Sequence, residues 1–505
     1  MSEPIVKTKS GAVQGRYEQD IATFKGIPYA APPVGPLRFA APVPPLAWDG
    51  VREANAFSPT PPQVDLSSER MPGLDVRPIV GESWRKGDDF LTLNIWTPDP
   101  GAQGLPVMVF IYGGAFATGG SSTPLYNGAR FARDGVVFVS FNYRLGIEGF
   151  LPLEGGDTNL GLRDQLAALR WVQENIEAFG GDPNKVTVFG ESAGAISVSS
   201  LMAIPASKGL FRRAISQSGG AQHTMSMEQA GRVAARLGEI LGVLPTREGF
   251  GSLTFEQTIA GQSKLLPDSL DLVTAEDPDP TGGLTLFLPV RDGDLISSQP
   301  VTAIRQGASS EVDLLVGTNS QEMNLYYVPT GVVKLLDSDE KVAAYVGSRH
   351  PDPQKLVATY RASYPNIASG ELFSAIMTDW MFYLPSVRLA EAHASHPAGT
   401  YFYEFAWPSP TFNHKLAACH GLELGFVFDT LDTIGLTGPE SMAGDNPPAE
   451  LATRIHKTWI TFATAGDPGW TPYTTEQRSI MRINTTWDLL TDPRSVERRA
   501  WDNVR

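Results

Sequence analysis

A chain of 505 residues with 42% hydrophobic and 19% charged side chains has the apolar content of a large packed core and too much of it for disorder. No run approaches the roughly 18 consecutive apolar residues that a spanning helix needs, so no membrane association is expected. The formal charge of −15 works against phosphate backbones, and nucleic acid is not an expected partner either.

Residues 1–7 show no basic start followed by an apolar stretch, so a cytoplasmic protein is expected, with a monomer as its working state. Without a secretory route, the glycosylation sequon Asn484-Thr485-Thr486 should be inert. The single cysteine, Cys419, excludes an intramolecular disulfide. No linker rich in Ser and Gly interrupts the chain, so residues 1–505 read as one catalytic domain carrying insertions.

The first hundred residues are rich in proline, as in Ala31-Pro32-Pro33-Val34-Gly35-Pro36, and are expected to form an antiparallel flap and surface loops. Strand-like runs then follow at 106–112, 136–141, 186–189, 214–216, 312–316 and 400–405, alternating with helical patterns. Leu162, Leu166, Leu169 and Val172 recur at helical spacing between the second and third runs. Such alternation predicts an α/β fold with a mostly parallel sheet covered on both faces. The stretches 225–283 and 329–394 read as helical insertions placed to roof an active site.

Chemistry-bearing residues fall where those strands end. Tyr112-Gly113-Gly114-Ala115-Phe116 closes the first run, and small residues there let backbone N–H groups approach a substrate. Gly190-Glu191-Ser192-Ala193-Gly194 lies between the third run and an alanine-rich helical pattern, the strand-turn-helix context of a nucleophile elbow. Ser192 is therefore the candidate nucleophile, and the N–H groups of Gly114, Ala115 and Ala193 are the candidate oxyanion donors. A serine hydroxyl needs a base and a carboxylate to orient that base. His420, in the glycine-flanked segment Cys419-His420-Gly421-Leu422-Glu423, is the candidate base. Glu322, on the loop after the 312–316 run, is a candidate acid, with Asp313 and Glu311 as rivals. The chain order Ser192, Glu322, His420 is that of α/β-hydrolases.

These motifs, with Phe24-Lys25-Gly26-Ile27-Pro28-Tyr29-Ala30, Leu91-Thr92-Leu93-Asn94-Ile95-Trp96, Asn159-Leu160-Gly161-Leu162-Arg163-Asp164-Gln165 and Ser216-Gln217-Ser218-Gly219, run nearly end to end along the chain. Together they resemble the type-B carboxylesterases, the cholinesterase-like family that includes bacterial para-nitrobenzyl esterases. The resemblance implies an α/β-hydrolase fold and hydrolysis of carboxylic esters by Ser192, Glu322 and His420 with no cofactor and no metal. It also implies that Glu191 and Ser218 lie close to that triad. Phe90 stands where animal members have a disulfide cysteine, and Trp84 sits in a different context from the tryptophan that stacks on choline, so choline esters are not expected substrates. Lipase, amidase or acyltransferase chemistry on the same triad is the nearest alternative. Non-catalytic adhesion proteins share the fold but typically lose a triad member, whereas all three are present here.

Minor motifs carry less. His393 and His396 stand at i, i+3 without further ligands, and Cys419 reads as a small buried filler. Tyr112 and Phe116 suggest an apolar mouth suited to aryl or short-chain esters. From the ordinary imidazole value, kcat/KM is expected to rise with pH through about 6 to 7.

Overall fold

The six runs expected as strands form the parallel centre of one sheet, in the order Val137–Phe141, Leu105–Ile111, Gly181–Glu191, Arg213–Gln217, Asp313–Asn319, Thr400–Phe405. Ser479–Ile483 extends it in parallel. Antiparallel strands finish the edges: Trp487–Thr491 on one side, and Thr92–Thr97, Ile21–Pro28 and Arg16–Glu18 on the other. The arrangement is that of an α/β-hydrolase. This computed structural model describes residues 3–64, 71–81, 84–265, 270–433 and 435–504.

Continuous apolarity makes the central strands. Val107, Val109, Val186, Val188, Leu314 and Leu315 are all fully buried, as expected of strands covered on both faces. The helix Leu160–Asn175 contains the predicted period and buries Leu162, Leu166, Leu169 and Val172. It packs on the neighbouring helix Ala193–Ala203, and the helix Ala449–Ala465 packs on the same central strands.

The structure departs from the sequence reading in two places. The third strand begins at Gly181 rather than at 186, but Leu105 pairs with Gly181 and Val107 already with Val186, so residues 182–185 bulge out. An Asn184 N–H bond to Asp182 Oδ1, 2.9 Å, turns the Gly-Asp-Pro-Asn segment within that bulge. The N-terminal region supplies a small sheet, in which Ile5–Lys7, Ala12–Gln14 and Val51–Glu53 pair, but it is more than a flap. Ile21–Pro28 and Thr92–Thr97 are buried strands of the main sheet, because Phe24, Ile27, Leu93 and Ile95 lie in the core.

One buried ion pair ties the loop after Val137–Phe141 to the helix Leu160–Asn175. Arg144 donates from Nε and Nη2 to the Asp164 carboxylate at 2.8 and 2.7 Å, and its Nη1 donates to Ala40 O at 2.7 Å. Both side chains are shut off from solvent, so each depends on the other for its charge. Asp164→Ala leaves the guanidinium buried and unpaired, and should lower stability by about 3–5 kcal/mol, read from the midpoint of urea unfolding.

Candidate active site

The strand Gly181–Glu191 runs straight into the helix Ala193–Ala203, leaving Ser192 alone at the turn with φ 57° and ψ −123°. Such a backbone costs a non-glycine residue about 1–3 kcal/mol and persists only where its surroundings enforce it. Here Ser192 N–H donates to Gln217 O, and Ser192 O accepts from Ile196 N–H, both at 2.9 Å. A Cβ on Gly190 would stand 2.6 Å from the Gly194 carbonyl and 2.7 Å from Ile111 O, and one on Gly194 would overlap Ile111 O. The two glycines of the pentad therefore let the elbow press against the end of Leu105–Ile111. From those two adjacent strands the chain leaves in opposite directions, to Val137–Phe141 and to Arg213–Gln217, which is the switch point where α/β sheets gather ligands.

The glycine-rich loop packs on the elbow, since a Cβ on Gly113 would lie 3.0 Å from Ser192 Cβ. Ala115 and Phe116 follow in left-handed conformations, φ 57° and 58°. Among the described residues, nothing accepts a hydrogen bond from the N–H groups of Gly114, Ala115 or Ala193. Those three donors remain available to a ligand, Ala193 at a helix N-terminus.

His420 Nδ1 stands 2.7 Å from Glu322 Oε2, and His420 N–H donates to Glu322 O at 3.1 Å. The other carboxylate oxygen, Oε1, accepts the Asn319 N–H at 2.7 Å, so Glu322 is held from both ends. The rival carboxylates lie elsewhere: Asp313 opens the strand whose far end leads to Glu322, accepting the Gly399 N–H, and Glu311 precedes it on the surface. Nε2 of His420 is 3.1 Å from Glu191 Oε1 without the alignment of a hydrogen bond, and both atoms lack a hydrogen-bond partner among the described residues. Ser218 Oγ is likewise buried without one.

Sequence reasoning gave no role to Glu423, Asn319, Gln217 or Phe382. Glu423 accepts from Asn319 Nδ2 at 2.6 Å and from Gln217 Nε2 at 3.1 Å, which places a third buried carboxylate beside Glu191 and Glu322. Its only sequence signal is its place in His420-Gly421-Leu422-Glu423. Phe382 lies against the His420 ring, centroids 4.5 Å apart, on the π-helical turn Asp379–Tyr383. Nothing in the sequence marks that turn.

Three acids around one imidazole set the electrostatics. Burial pulls the His420 pKa down, but the charges of Glu191, Glu322 and Glu423 outweigh it and raise the value to about 9. Burial likewise pushes Glu191 up to about 8 and Glu423 up to about 7. The other titratable candidates are elsewhere occupied. Burial pushes the Cys419 thiol up, away from a reactive thiolate. His393 bonds to Thr400 Oγ1 at 2.7 Å, and His396 to Ile304 O at 2.9 Å.

Ser192, Glu191, His420, Gly114 and Ala115 line one cavity of about 320 Å³. Its other walls are Val76, Ile79, Val80 and Met442, then Leu284, Leu286 and Phe287, then Leu325 and Tyr326. Of the two insertions, 225–283 reaches the cavity with Gln262 and Ser263, while 329–394 supports His420 through Phe382. Tyr112 and Phe116 are core residues stacked on Tyr143 and Phe150, so the apolar mouth is built from other side chains. Trp84 packs edge-on against Phe255 and is not among the cavity's described lining residues.

Residues 2–501 match the carboxylesterase family. The chain belongs to that family. It is 38% identical over 516 residues to the para-nitrobenzyl esterase of Bacillus subtilis (strain 168), covering 99% of this chain and 98% of that one. It is 34% identical over 477 residues to the phenmedipham hydrolase of Pseudarthrobacter oxydans, covering 93% and 91%. A solved PNB esterase structure superposes with a TM-score of 0.84 at 36% identity, covering 99% of both chains. As a carboxylesterase the protein is a serine hydrolase of carboxylic esters.

Catalysis by His420 as a base would require its neutral form, and a raised pKa leaves less of that form at neutral pH. The rising limb of kcat/KM is therefore expected above the ordinary imidazole value of about 6.5, higher than the sequence alone suggested. Glu191→Gln removes one of the anions that favour the imidazolium, and should move that limb down by about one pH unit. A pH–rate profile on both forms, read as apparent values of the coupled cluster, checks the shift.

Proposed function

We propose that this carboxylesterase hydrolyses uncharged short-chain or aryl esters through Ser192, His420 and Glu322, with Gly114, Ala115 and Ala193 as the oxyanion hole. One observation carries the reading: a strained serine, an imidazole paired at 2.7 Å with a buried carboxylate, and the loop of Gly114 and Ala115 line the same cavity, with the N–H groups of those two residues and of Ala193, next to the serine, unpaired among the described residues. The strain at Ser192 works against folding.

The chemistry follows from the arrangement. His420 Nε2 takes the Ser192 proton as Oγ attacks the ester carbonyl, and the three N–H groups stabilise the oxyanion as charge develops. The alkoxide leaves with the proton held by His420, forming an acyl-serine. Water then gives its proton to His420 and attacks the acyl carbon, and the acid departs as Ser192 recovers its proton. Glu322 holds the imidazole in one tautomer and favours the charge it gains. Glu191, with its pKa pushed to about 8, lies beside the nitrogen that moves the proton.

Cavity composition supports the substrate class. Its described walls are largely aliphatic and aromatic, with Thr118, Gln262, Ser263 and Thr285 as uncharged polar members, and contain no Lys or Arg to bind an anionic substrate. The name of the para-nitrobenzyl esterase relative points the same way, toward uncharged esters that carry an aromatic ring. One contiguous hydrophobic cluster reaching from Val6 to Trp501 supports a single catalytic domain over the chain.

Para-nitrophenyl esters from C2 to C16 should be turned over fastest at the short end, and a fluorophosphonate should label Ser192, located by peptide mass spectrometry. Ser192→Ala should lower kcat by roughly 10⁴ or more while the protein stays folded. Glu322→Gln should lower it by about 10² to 10⁴. Labelling at another serine, or wild-type turnover in Ser192→Ala, would overturn the assignment.

A further inference from the structure

The loop that carries two of the proposed oxyanion donors is held through its carbonyls. Gly114 O accepts from Ala117 N–H and Thr118 N–H at 3.0 Å, both within the loop. Phe116 O accepts from Gly146 N–H at 2.6 Å, a backbone anchor. Ala115 O is different. Among the described residues its partner is a side chain from 170 positions away, the Thr285 hydroxyl, at 2.8 Å.

That hydroxyl has little freedom. Thr285 Oγ1 accepts the Phe287 N–H at 3.2 Å, so one lone pair is already directed. Its single proton faces Ala115 O at 2.8 Å and Phe287 O at 3.3 Å, and the shorter contact is the better hydrogen bond. Thr281 Oγ1, bonded to Thr285 O at 3.1 Å, closes the turn that presents the residue. The consequence falls on a strained site, because Ala115 and Phe116 are consecutive non-glycine residues at φ 57° and 58°. Phe116 is further locked by its buried ring on Phe150, 4.5 Å between centroids. Ala115 has only a methyl group, and the Thr285 bond fixes the 115–116 peptide, directly after the 114–115 peptide that carries the Ala115 N–H.

We propose that Thr285 is a positioning residue for the oxyanion hole: its hydroxyl, by holding the Ala115 carbonyl, keeps the 114–116 turn in the form whose N–H groups face the reacting carbonyl. The proposal rests on the reading of Gly114 and Ala115 as oxyanion donors. Thr285 also lines the cavity, but it hydrogen-bonds neither Ser192 nor His420, and its hydroxyl is directed to the loop.

The test compares Thr285→Val, which keeps the shape and removes the hydroxyl, with Thr285→Ser, which keeps the hydroxyl, and with Thr285→Ala as a second hydroxyl-free form. On para-nitrophenyl acetate, kcat should fall about threefold to tenfold in Val and Ala, the worth of one neutral hydrogen bond, with KM within about twofold. Ser should restore it. Affinity for an alkyl trifluoromethyl ketone, which forms an oxyanion on the nucleophile, should fall in parallel, and the midpoint of the pH–rate profile should not move. Unchanged kcat and ketone affinity in folded Val and Ala variants would overturn the role of Thr285 and leave the donors standing. Should the wild type bind the trifluoromethyl ketone no better than the matched methyl ketone, the donor reading itself fails, and the proposal with it. A shifted pH midpoint would mean that the substitution disturbs His420 and would also overturn it.

Discussion

Everything in the site depends on how closely the elbow presses against the strand beside it. Gly190 and Gly194 have no Cβ because Ile111 O and the elbow's own backbone occupy that space. That contact brings Ser192 to the end of Leu105–Ile111, where the loop from Gly113 begins, and puts a helix N-terminus and a glycine-rich turn on the two sides of one serine. The backbone strain at Ser192, Ala115 and Phe116 is the cost of that convergence, and hydrogen bonds to Gln217 O and from Gly146 and Thr285 hold it in place.

Behind the elbow the charge is unbalanced. Three buried carboxylates surround His420, and the neutral donors Asn319 and Gln217, with Trp459 Nε1 bonded to Gln217 Oε1 at 3.1 Å, supply the satisfaction that no second cation provides. The result is a cluster that holds protons more tightly than its members would alone. Elsewhere the core handles buried charge by pairing, as Arg144 does with Asp164 and as Arg494 does with Asp379 and Glu404. The contrast separates charge that holds the fold from charge that is left for chemistry.

Much of this was legible before any coordinates. Buried parallel strands announce themselves as unbroken apolar runs, and all six that were expected lie side by side. Pentad and glycine-rich loop are readable because their residues are small for a steric reason. Illegible parts come from long-range packing. Ile21–Pro28 reads as part of a proline-rich flap until Thr92–Thr97 pairs with it. Phe382 reaches His420 only because one turn of its helix widens, and widening has no residue code. Cavity walls come from segments near 80, 285, 325 and 442, which no local pattern connects. The rise in the His420 pKa is also a matter of packing, coming first from Glu191 beside Nε2, then from Glu322, and last from Glu423.

That the cavity's described lining holds no Lys or Arg bears on how the proposed catalytic cycle ends. Ester cleavage converts a neutral molecule into an alcohol and a carboxylate, and the carboxylate is formed beside Glu191 with no Lys or Arg among the described lining residues. Its negative charge then lies beside Glu191, and among the described lining residues only the protonated His420 imidazole can balance it. Once His420 gives up its proton, the apolar walls that admit the neutral ester favour release of the charged acid to water.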